Sequence, residues 1–296
     1  FLLGFSEQPL LEMTLFVIIV VFYLLTLLGN MAIVILVHLD PRLHTPLYFF
    51  LTHLSLMDLC YTTSPVPQLL FNLQGPEKII SYGGCVGQLY VFLAMGSTEC
   101  ILLAVMAVDH YVAVCRPLQC TILMHPCLCW QLAATTRLTG LASSLVRIVL
   151  ITQLPLCGRN IIDHVFCEVP VLLKLACVDT TFNQMELFLV SALLLLVPLT
   201  LILISYSCIG QAVWKIKSHE GHQKALGTCS SHLVVVFLFY GTAMATYLQP
   251  TAATFQNQDK FMALLYGIVT PILNPFIYTL RDKDMKGALR KMIGKD

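Results

Sequence analysis

The chain has 296 residues, of which 57% are hydrophobic and only 11% are charged. Because about a quarter of the residues in soluble domains are charged, this composition excludes an ordinary soluble protein. The formal net charge is +1, which gives no electrostatic basis for nucleic-acid binding. The sequence begins at Phe1 rather than at a methionine, so we expect a short segment to precede it in the full protein.

Seven apolar runs are each long enough to cross a bilayer, which takes about 20 residues of helix. Lipid offers the backbone no hydrogen-bond partner, so each run is predicted to be a helix. The runs cover approximately residues 11–37, 47–70, 87–114, 127–154, 185–214, 226–248 and 261–280. A basic amphipathic segment, 281–295, is predicted to form a short helix on the membrane surface. The expected fold is an all-α membrane protein, a seven-transmembrane helix bundle in one domain of residues 1–296.

The distribution of lysine and arginine predicts the orientation, because an excess of these residues marks the cytoplasmic side. With the N-terminus outside, the outer segments hold Lys78, Arg159, Lys174 and Lys260. The inner segments then hold Arg42, Arg116, Lys215, Lys217, Lys224, Arg281, Lys283, Lys286, Arg290, Lys291 and Lys295. Eleven against four favours an extracellular N-terminus and a cytoplasmic C-terminus.

Four cysteines lie on the outer side in this orientation, where disulfides persist. They are Cys85, Cys157, Cys167 and Cys177, and spacing alone does not choose among their three possible pairings. A metal site is an alternative at Cys167, since His164 and Glu168 are also ligand types at close spacing. We expect no metal, because a disulfide removes the thiolate of Cys167.

The most informative segment closes the third run and reads Met-Ala-Val-Asp-His-Tyr-Val-Ala-Val-Cys-Arg-Pro-Leu, residues 106–118. Ionisable groups at the edge of a hydrocarbon layer are costly, so they mark a switch or a partner contact. Asp109, His110 and Tyr111 are the candidates for that role.

This segment and several others resemble the olfactory receptors of the tetrapod-type class, within the rhodopsin-like G-protein-coupled receptors. The matching motifs follow one another in order along essentially the whole chain. They are residues 43–51, 54–58, 106–118, 156–158, 164–168, 175–180, 224–233 and 271–281.

The resemblance implies a plasma-membrane odorant receptor that activates a stimulatory, olfactory-type G protein and raises cyclic AMP. It also implies the disulfides Cys85–Cys167 and Cys157–Cys177. The residues expected at the switch and the G-protein cavity are Asp109, His110, Tyr111, Tyr206, His232, Asn274 and Tyr278. For single lysines of the inner loop, a role in topology alone is the alternative.

The resemblance places a ligand pocket between the third, fifth and sixth helices, under the long outer loop. The expected lining residues are Phe92, Leu93, Gly96, Ser97, Val190, Ser191, Leu194, Tyr240, Ala243, Met244 and Tyr247. Apolar groups with a few hydroxyls suit a small, neutral, volatile ligand. The third run has no acid near Phe92, which argues against an amine. Taken singly, each apolar side chain is more often explained by helix packing than by ligand contact.

Buried polar residues lie at similar depth in four runs: Asn30, Asp58, Glu99 and Asn274. Two acids so placed would repel each other unless they share a cation or a proton. We expect a sodium ion near Asp58 and Glu99, and no other cofactor. The alternative is a structural hydrogen-bond network with protonated acids.

The chain also departs from the family pattern. His110 stands where the family usually has arginine, and a histidine is shorter and only partly charged near neutral pH. Arg137 stands where the fourth helix usually has tryptophan, which is expensive in a membrane unless the cation is paired. These departures predict weak coupling or weak surface expression.

Other functions fit the sequence less well. No nucleophile-elbow, metalloprotease or P-loop pattern is present, so an enzyme is not expected. A chemosensory receptor outside olfaction, or a receptor that does not signal, fits the same motifs. A transporter or channel is the alternative from another class, although the chain lacks visible internal repeats.

Overall fold

A computed structural model describes residues 9–75, 78–157, 162, 164–215, 219–248, 256–292 and 294. Over these residues the chain is helical, and the only β pairing within them is an isolated bridge between Leu156 and Ala176. Arg159, Lys217 and Lys295, which contribute to the charge asymmetry, lie outside the described residues.

Twelve α-helices follow one another in the described chain. They are α1 Pro9–Leu39, α2 Pro46–Thr63, α3 Val66–Gln74, α4 Tyr82–Cys115, α5 Cys120–Leu123, α6 Pro126–Thr152, α7 Val169–Lys174, α8 Thr181–Trp214, α9 His219–Tyr247, α10 Gln256–Leu264, α11 Thr270–Arg281 and α12 Lys283–Met292. A π-helical turn, Leu265–Val269, joins α10 to α11. Short 3-10 turns lie at Pro41–Leu43 and Pro117–Gln119.

Six segments are long and apolar enough to cross a membrane. They are Leu10–Leu39, Tyr82–Cys115, Pro126–Thr152, Thr181–Trp214, Cys229–Tyr247 and Lys260–Thr279. They correspond to six of the seven predicted runs, with ends that differ by a few residues. The second run is the exception.

The second run, expected as one helix over 47–70, is two helices. α2 ends at Thr63 and α3 begins at Val66, with Pro65 and Pro67 at the junction. Proline has no N–H to donate and its ring clashes with the preceding turn, so the helix ends there. α2 also carries His53 and Asp58, which lower its apolar character.

The seventh run is also interrupted, between α10 and α11. The π turn Leu265–Val269 places one more residue in a turn than an α-helix does, and such turns are frequent at functional sites. The Asp282 carboxylate then accepts from the N–H groups of Asp284 and Met285, and it separates α11 from α12. The predicted surface segment is therefore helical over Lys283–Met292.

Several helices begin at side-chain caps, which satisfy N–H groups that have no partner within the helix. Ser81 Oγ accepts from Gly84 N at 3.0 Å before α4. His125 Nδ1 accepts from Leu128 N at 3.2 Å before α6, where Pro126 takes a first-turn position. Before α8, hydrogen bonds from the Thr181 side chain and N–H hold the pKa of Asp179 below its ordinary value.

Two glycines let helices approach closely. A Cβ on Gly140 of α6 would meet the Thr98 side chain and, at 2.8 Å, the Ala94 carbonyl oxygen of α4. A Cβ on Gly29 of α1 would lie 2.8 Å from Pro275 Cγ of α11. In a membrane no hydrophobic effect drives helices together, so small residues that allow close packing stabilise their contacts.

The distribution of side chains is inverted relative to a soluble protein. Large apolar groups such as Leu24, Leu203 and Phe237 are exposed on the outer faces of their helices. Polar groups such as Asp58 and Glu99 are buried between helices. Hydrocarbon is the solvent that suits the first set and excludes the second, so this surface fits a bilayer.

Candidate functional site

A cavity of about 70 Å³ lies between the helices near the outer loop. Space for one water takes roughly 10–15 Å³ on this measure, so the cavity holds several atoms of a small ligand. Aromatic and aliphatic groups dominate its wall. The lining residues are Tyr61, Phe92, Leu93, Gly96, Ser97, Glu99, Cys100, Arg147, Ser191, Leu194, Leu195, Phe239, Thr242, Ala243, Tyr247, Tyr266, Thr270 and Pro271.

Eight of the eleven expected ligand residues are in this lining: Phe92, Leu93, Gly96, Ser97, Ser191, Leu194, Ala243 and Tyr247. The structure does not bring Val190, Tyr240 or Met244 to it. Tyr240 is buried and donates its hydroxyl to Cys100 O at 2.8 Å, which joins α9 to α4. Met244 packs against the main apolar core.

Sequence reasoning missed the part of the wall that α2, α6 and the seventh run provide. The ring of Tyr61 stacks on Phe92 with centroids 4.5 Å apart, and Phe92 lies 5.5 Å from the ring of Tyr266. The acid Glu99 and the cation Arg147 also line the cavity, although no acid was expected near Phe92. A charged residue within an apolar helix is the signal that points to Arg147 from sequence.

The long outer loop is anchored over the helix ends. Cys167 is bonded to Cys85 at the start of α4, with Cα atoms 5.5 Å apart, and Cys157 is bonded to Cys177. Cys167 N also donates to Gln88 Oε1 at 3.4 Å. These are the pairings that the family resemblance implies.

The loop also packs on the π turn of the seventh run. Phe166 is 1% exposed, and its ring lies where a Cβ on Gly267 would come within 3.0 Å of it. Tyr266 donates its hydroxyl to Glu168. The outer loop therefore contacts both α4 and the π turn. Because Tyr266 lines the cavity, the loop is in contact with the cavity wall.

The residues of the metal alternative are His164, Cys167 and Glu168 of this loop. His164 Nδ1 lies 3.9 Å from Glu168 Oε1, but Cys167 is in a disulfide. No group of three or more potential ligands occurs in the part of the chain that the structure describes.

Three of the four polar residues expected at mid-depth meet. Asn274 Nδ2 donates to both carboxylate oxygens of Asp58, at 3.3 and 3.0 Å, and it also interacts with Glu99. Asn30 lies apart from the acids and donates to Thr26 O and to Pro271 O. The cluster thus joins α2, α4 and α11. It forms the floor of the cavity, because Glu99 belongs to the cluster and also lines the cavity.

The inner end holds a second cluster, formed by two histidines and a tyrosine. His110 Nδ1 donates to Met106 O at 2.6 Å, and the ring centroids of His110 and His232 are 5.1 Å apart. The Tyr206 hydroxyl lies 2.8 Å from His232 Nδ1. These contacts join the inner ends of α4, α8 and α9.

Of the other expected switch residues, Asn274 lies in the mid-depth cluster with Asp58, whereas Asp109 and Tyr111 are on α4 and Tyr278 is on α11. Asp109 and Tyr278 are buried, and Tyr111 is half-buried against Ile209 and its neighbours on α8. The Tyr278 hydroxyl has no hydrogen-bond partner among the residues described. That hydroxyl is therefore available to a group that a rearrangement of α8 or α9 would bring to it.

Arg137 of α6 is paired with a side chain of α2, which offsets the cost of placing a cation in a membrane helix. Its Nη2 lies 2.7 Å from His53 Nδ1 of α2, and the His53 ring packs edge-on against Phe49 and Trp130. The guanidinium therefore faces protein rather than lipid.

The long apolar helices and their exposed apolar outer faces define a multi-pass membrane protein. The sequence model of the olfactory receptor family matches residues 19–296. Olfactory receptor 2G6 of Homo sapiens is 61% identical over 292 residues, covering 99% of this chain and 92% of that protein. Olfactory receptor 2B6 of Mus musculus is 55% identical over 292 residues, covering 99% and 93%. The chain belongs to the olfactory receptor family, whose members are receptors and not enzymes.

Proposed function

We propose that this receptor binds small apolar odorants in the cavity and responds by activating a stimulatory, olfactory-type G protein that raises cyclic AMP. The observation that carries the proposal is that α4, α8 and α9 line the cavity at one end and hold the His110–Tyr206–His232 cluster at the other. Coupling between two sites requires an element that both contact, and these helices meet that requirement. A ligand that fits one helix arrangement better shifts the population toward it.

The topology that this function needs is a seven-helix bundle with α2 and α3 together as the second crossing. The N-terminus is then extracellular and the C-terminus cytoplasmic, which the lysine and arginine asymmetry supports. A tag before Phe1 should be labelled on intact cells, and a tag after Asp296 only after permeabilisation. The reverse pattern would overturn this topology.

α12 fits a helix that lies on the cytoplasmic membrane surface. Met285 and Ala288 are buried against the bundle, whereas Lys286, Arg290 and Lys291 are on its more exposed side. Basic side chains near a membrane attract anionic lipid headgroups, so lipid is the proposed partner of this helix.

A sodium ion shared by Asp58 and Glu99 is the proposed cofactor. Glu99 Oε1 and Asn274 Oδ1 have no hydrogen-bond partner within the described chain, and both are oxygens of the kind that hold hard cations. Sodium should raise the midpoint of thermal unfolding of the purified receptor relative to choline at equal ionic strength. Glu99→Gln should remove that difference, and an equal sodium effect in both proteins would contradict the site.

The odorant function is tested with a panel of volatile compounds and a cyclic-AMP reporter. We expect at least one apolar compound to raise cyclic AMP, and Ala243→Phe to abolish the response because the larger ring fills the cavity. Gly241→Phe is the matched control, since a Cβ added at Gly241, an exposed position of the same helix, meets nothing within 4 Å.

Two results would overturn the function. An Ala243→Phe receptor that reaches the surface and responds like the wild type would place the ligand elsewhere. Ligand-gated ion flux through purified protein in liposomes without a G protein would indicate a channel instead.

A further inference from the structure

Arg147 of α6 lies in the cavity wall with an unused hydrogen-bond donor. Its side chain is 5% exposed. Nη2 donates to Ser191 Oγ of α8 at a long 3.4 Å. Nε has no hydrogen-bond partner among the described residues, because the nearest acid oxygen, Glu186 Oε1, is 3.7 Å away.

A buried N–H without a hydrogen-bond acceptor has lost its hydration, and an ion pair at 3.7 Å offsets that loss only in part. An acceptor that enters the cavity is therefore favoured there. The rest of the wall near Arg147 is mostly apolar. One correctly placed oxygen in an otherwise apolar ligand therefore contributes more to selectivity than an added methylene group does.

The charges around Arg147 decide what kind of acceptor fits. Glu186 faces Arg147 across the α6–α8 contact and balances its positive charge. Glu99 adds a second acidic group to the cavity wall. A ligand carboxylate would add a further negative charge beside two acids, whereas a carbonyl oxygen accepts from Arg147 and brings no charge.

We propose that the cavity selects small apolar ligands that carry a neutral carbonyl group, whose oxygen accepts a hydrogen bond from Arg147. This rests on the proposed odorant function of the same cavity. It makes Arg147 the residue that determines selectivity, and Glu186 the residue that excludes acids.

The test is binding to the purified full-length chain in detergent, measured by the shift in its thermal unfolding. Binding to the folded state alone raises the midpoint by an amount that grows with the ratio of ligand concentration to Kd, so this readout does not depend on G-protein coupling. The probes are a series of straight-chain methyl ketones, each with the alkane and the carboxylate of equal carbon number.

We expect the wild type to bind the best ketone more tightly than its alkane and its carboxylate. Arg147→Met should weaken ketone binding by about 10-fold or more, the usual effect of losing a hydrogen bond to a charged donor, and should leave alkane binding unchanged. Glu186→Gln should improve carboxylate binding, because Arg147 then lacks its counter-charge.

Arg137→Met is the control, since Arg137 is the other arginine of α6 and contacts His53 rather than the cavity. It should keep the wild-type order of probes. If alkanes bind the wild type as tightly as ketones, or if Arg147→Met keeps the ketone preference, the Arg147 proposal is wrong while the odorant function stands. If no probe and no compound of the odorant panel binds, the proposed function itself fails.

Discussion

Replacing Cys85 by serine should abolish expression of the receptor at the cell surface. The bond to Cys167 ties the outer loop to the first turn of α4, and Val165, Phe166 and Cys167 of that loop are each 1% exposed. Losing a disulfide of this kind costs about 2–5 kcal/mol, which is a large fraction of the stability of most proteins. Surface labelling and total protein, compared in the same cells, measure the effect.

The second disulfide provides a graded comparison. Cys85 and Cys167 are 82 residues apart, whereas Cys157 and Cys177 are 20 apart. Because a longer loop loses more freedom when it is closed, Cys157→Ser should have the smaller effect. Cys127→Ser, at an exposed free cysteine, controls for the substitution itself. Normal trafficking of the Cys85→Ser receptor would contradict the role of the bond.

The apolar runs were predictable from sequence because lipid imposes one requirement on every spanning segment. Internal hydrogen bonding and about 20 apolar residues leave a strong pattern, and six of the seven runs are found as such segments. The break between α2 and α3 was less predictable. Prolines kink some membrane helices and end others, and tertiary contacts decide which occurs.

The cavity was predictable only in part, because a lining residue is defined by its neighbours. Counting along α4 finds Phe92, Gly96 and Ser97, which share one face. Tyr266 reaches the cavity through the π turn, and no sequence pattern indicates where such a turn falls. Tyr240 has the right spacing on α9 but donates its hydroxyl to Cys100 O instead.

The two arginines of α6 also show that sequence alone does not reveal what a side chain contacts. Sequence marks both as expensive in a membrane. The structure separates them, since Arg137 contacts His53 of α2 while Arg147 lines the cavity. Ten residues along a helix is about 2.8 turns and about 15 Å, so the two side chains point roughly 80° apart and lie at different depths. Their roles differ because both their direction and their depth differ.

His110→Arg should raise the cyclic-AMP response at matched surface expression, by about 10-fold in agonist potency. His110 is tied back to its own helix through Met106 O, and its Nε2 has no hydrogen-bond partner within the described part of the chain. An arginine is longer, always charged and has five donors, so it would reach further into the inner cavity that is proposed to bind the G protein. One charge-assisted hydrogen bond to carbonyl groups of the G protein accounts for that magnitude.

His110→Gln separates this explanation from the loss of a local contact. Both substitutions remove the His110 ring from His232, whose centroid is 5.1 Å away, but only arginine adds a charge and a fork of donors. If glutamine raises the response as much as arginine does, release of the α4–α9 contact is the cause. If arginine leaves the response unchanged or lowers it, His110 already couples as well as the arginine typical of the family, and weak coupling must be sought elsewhere.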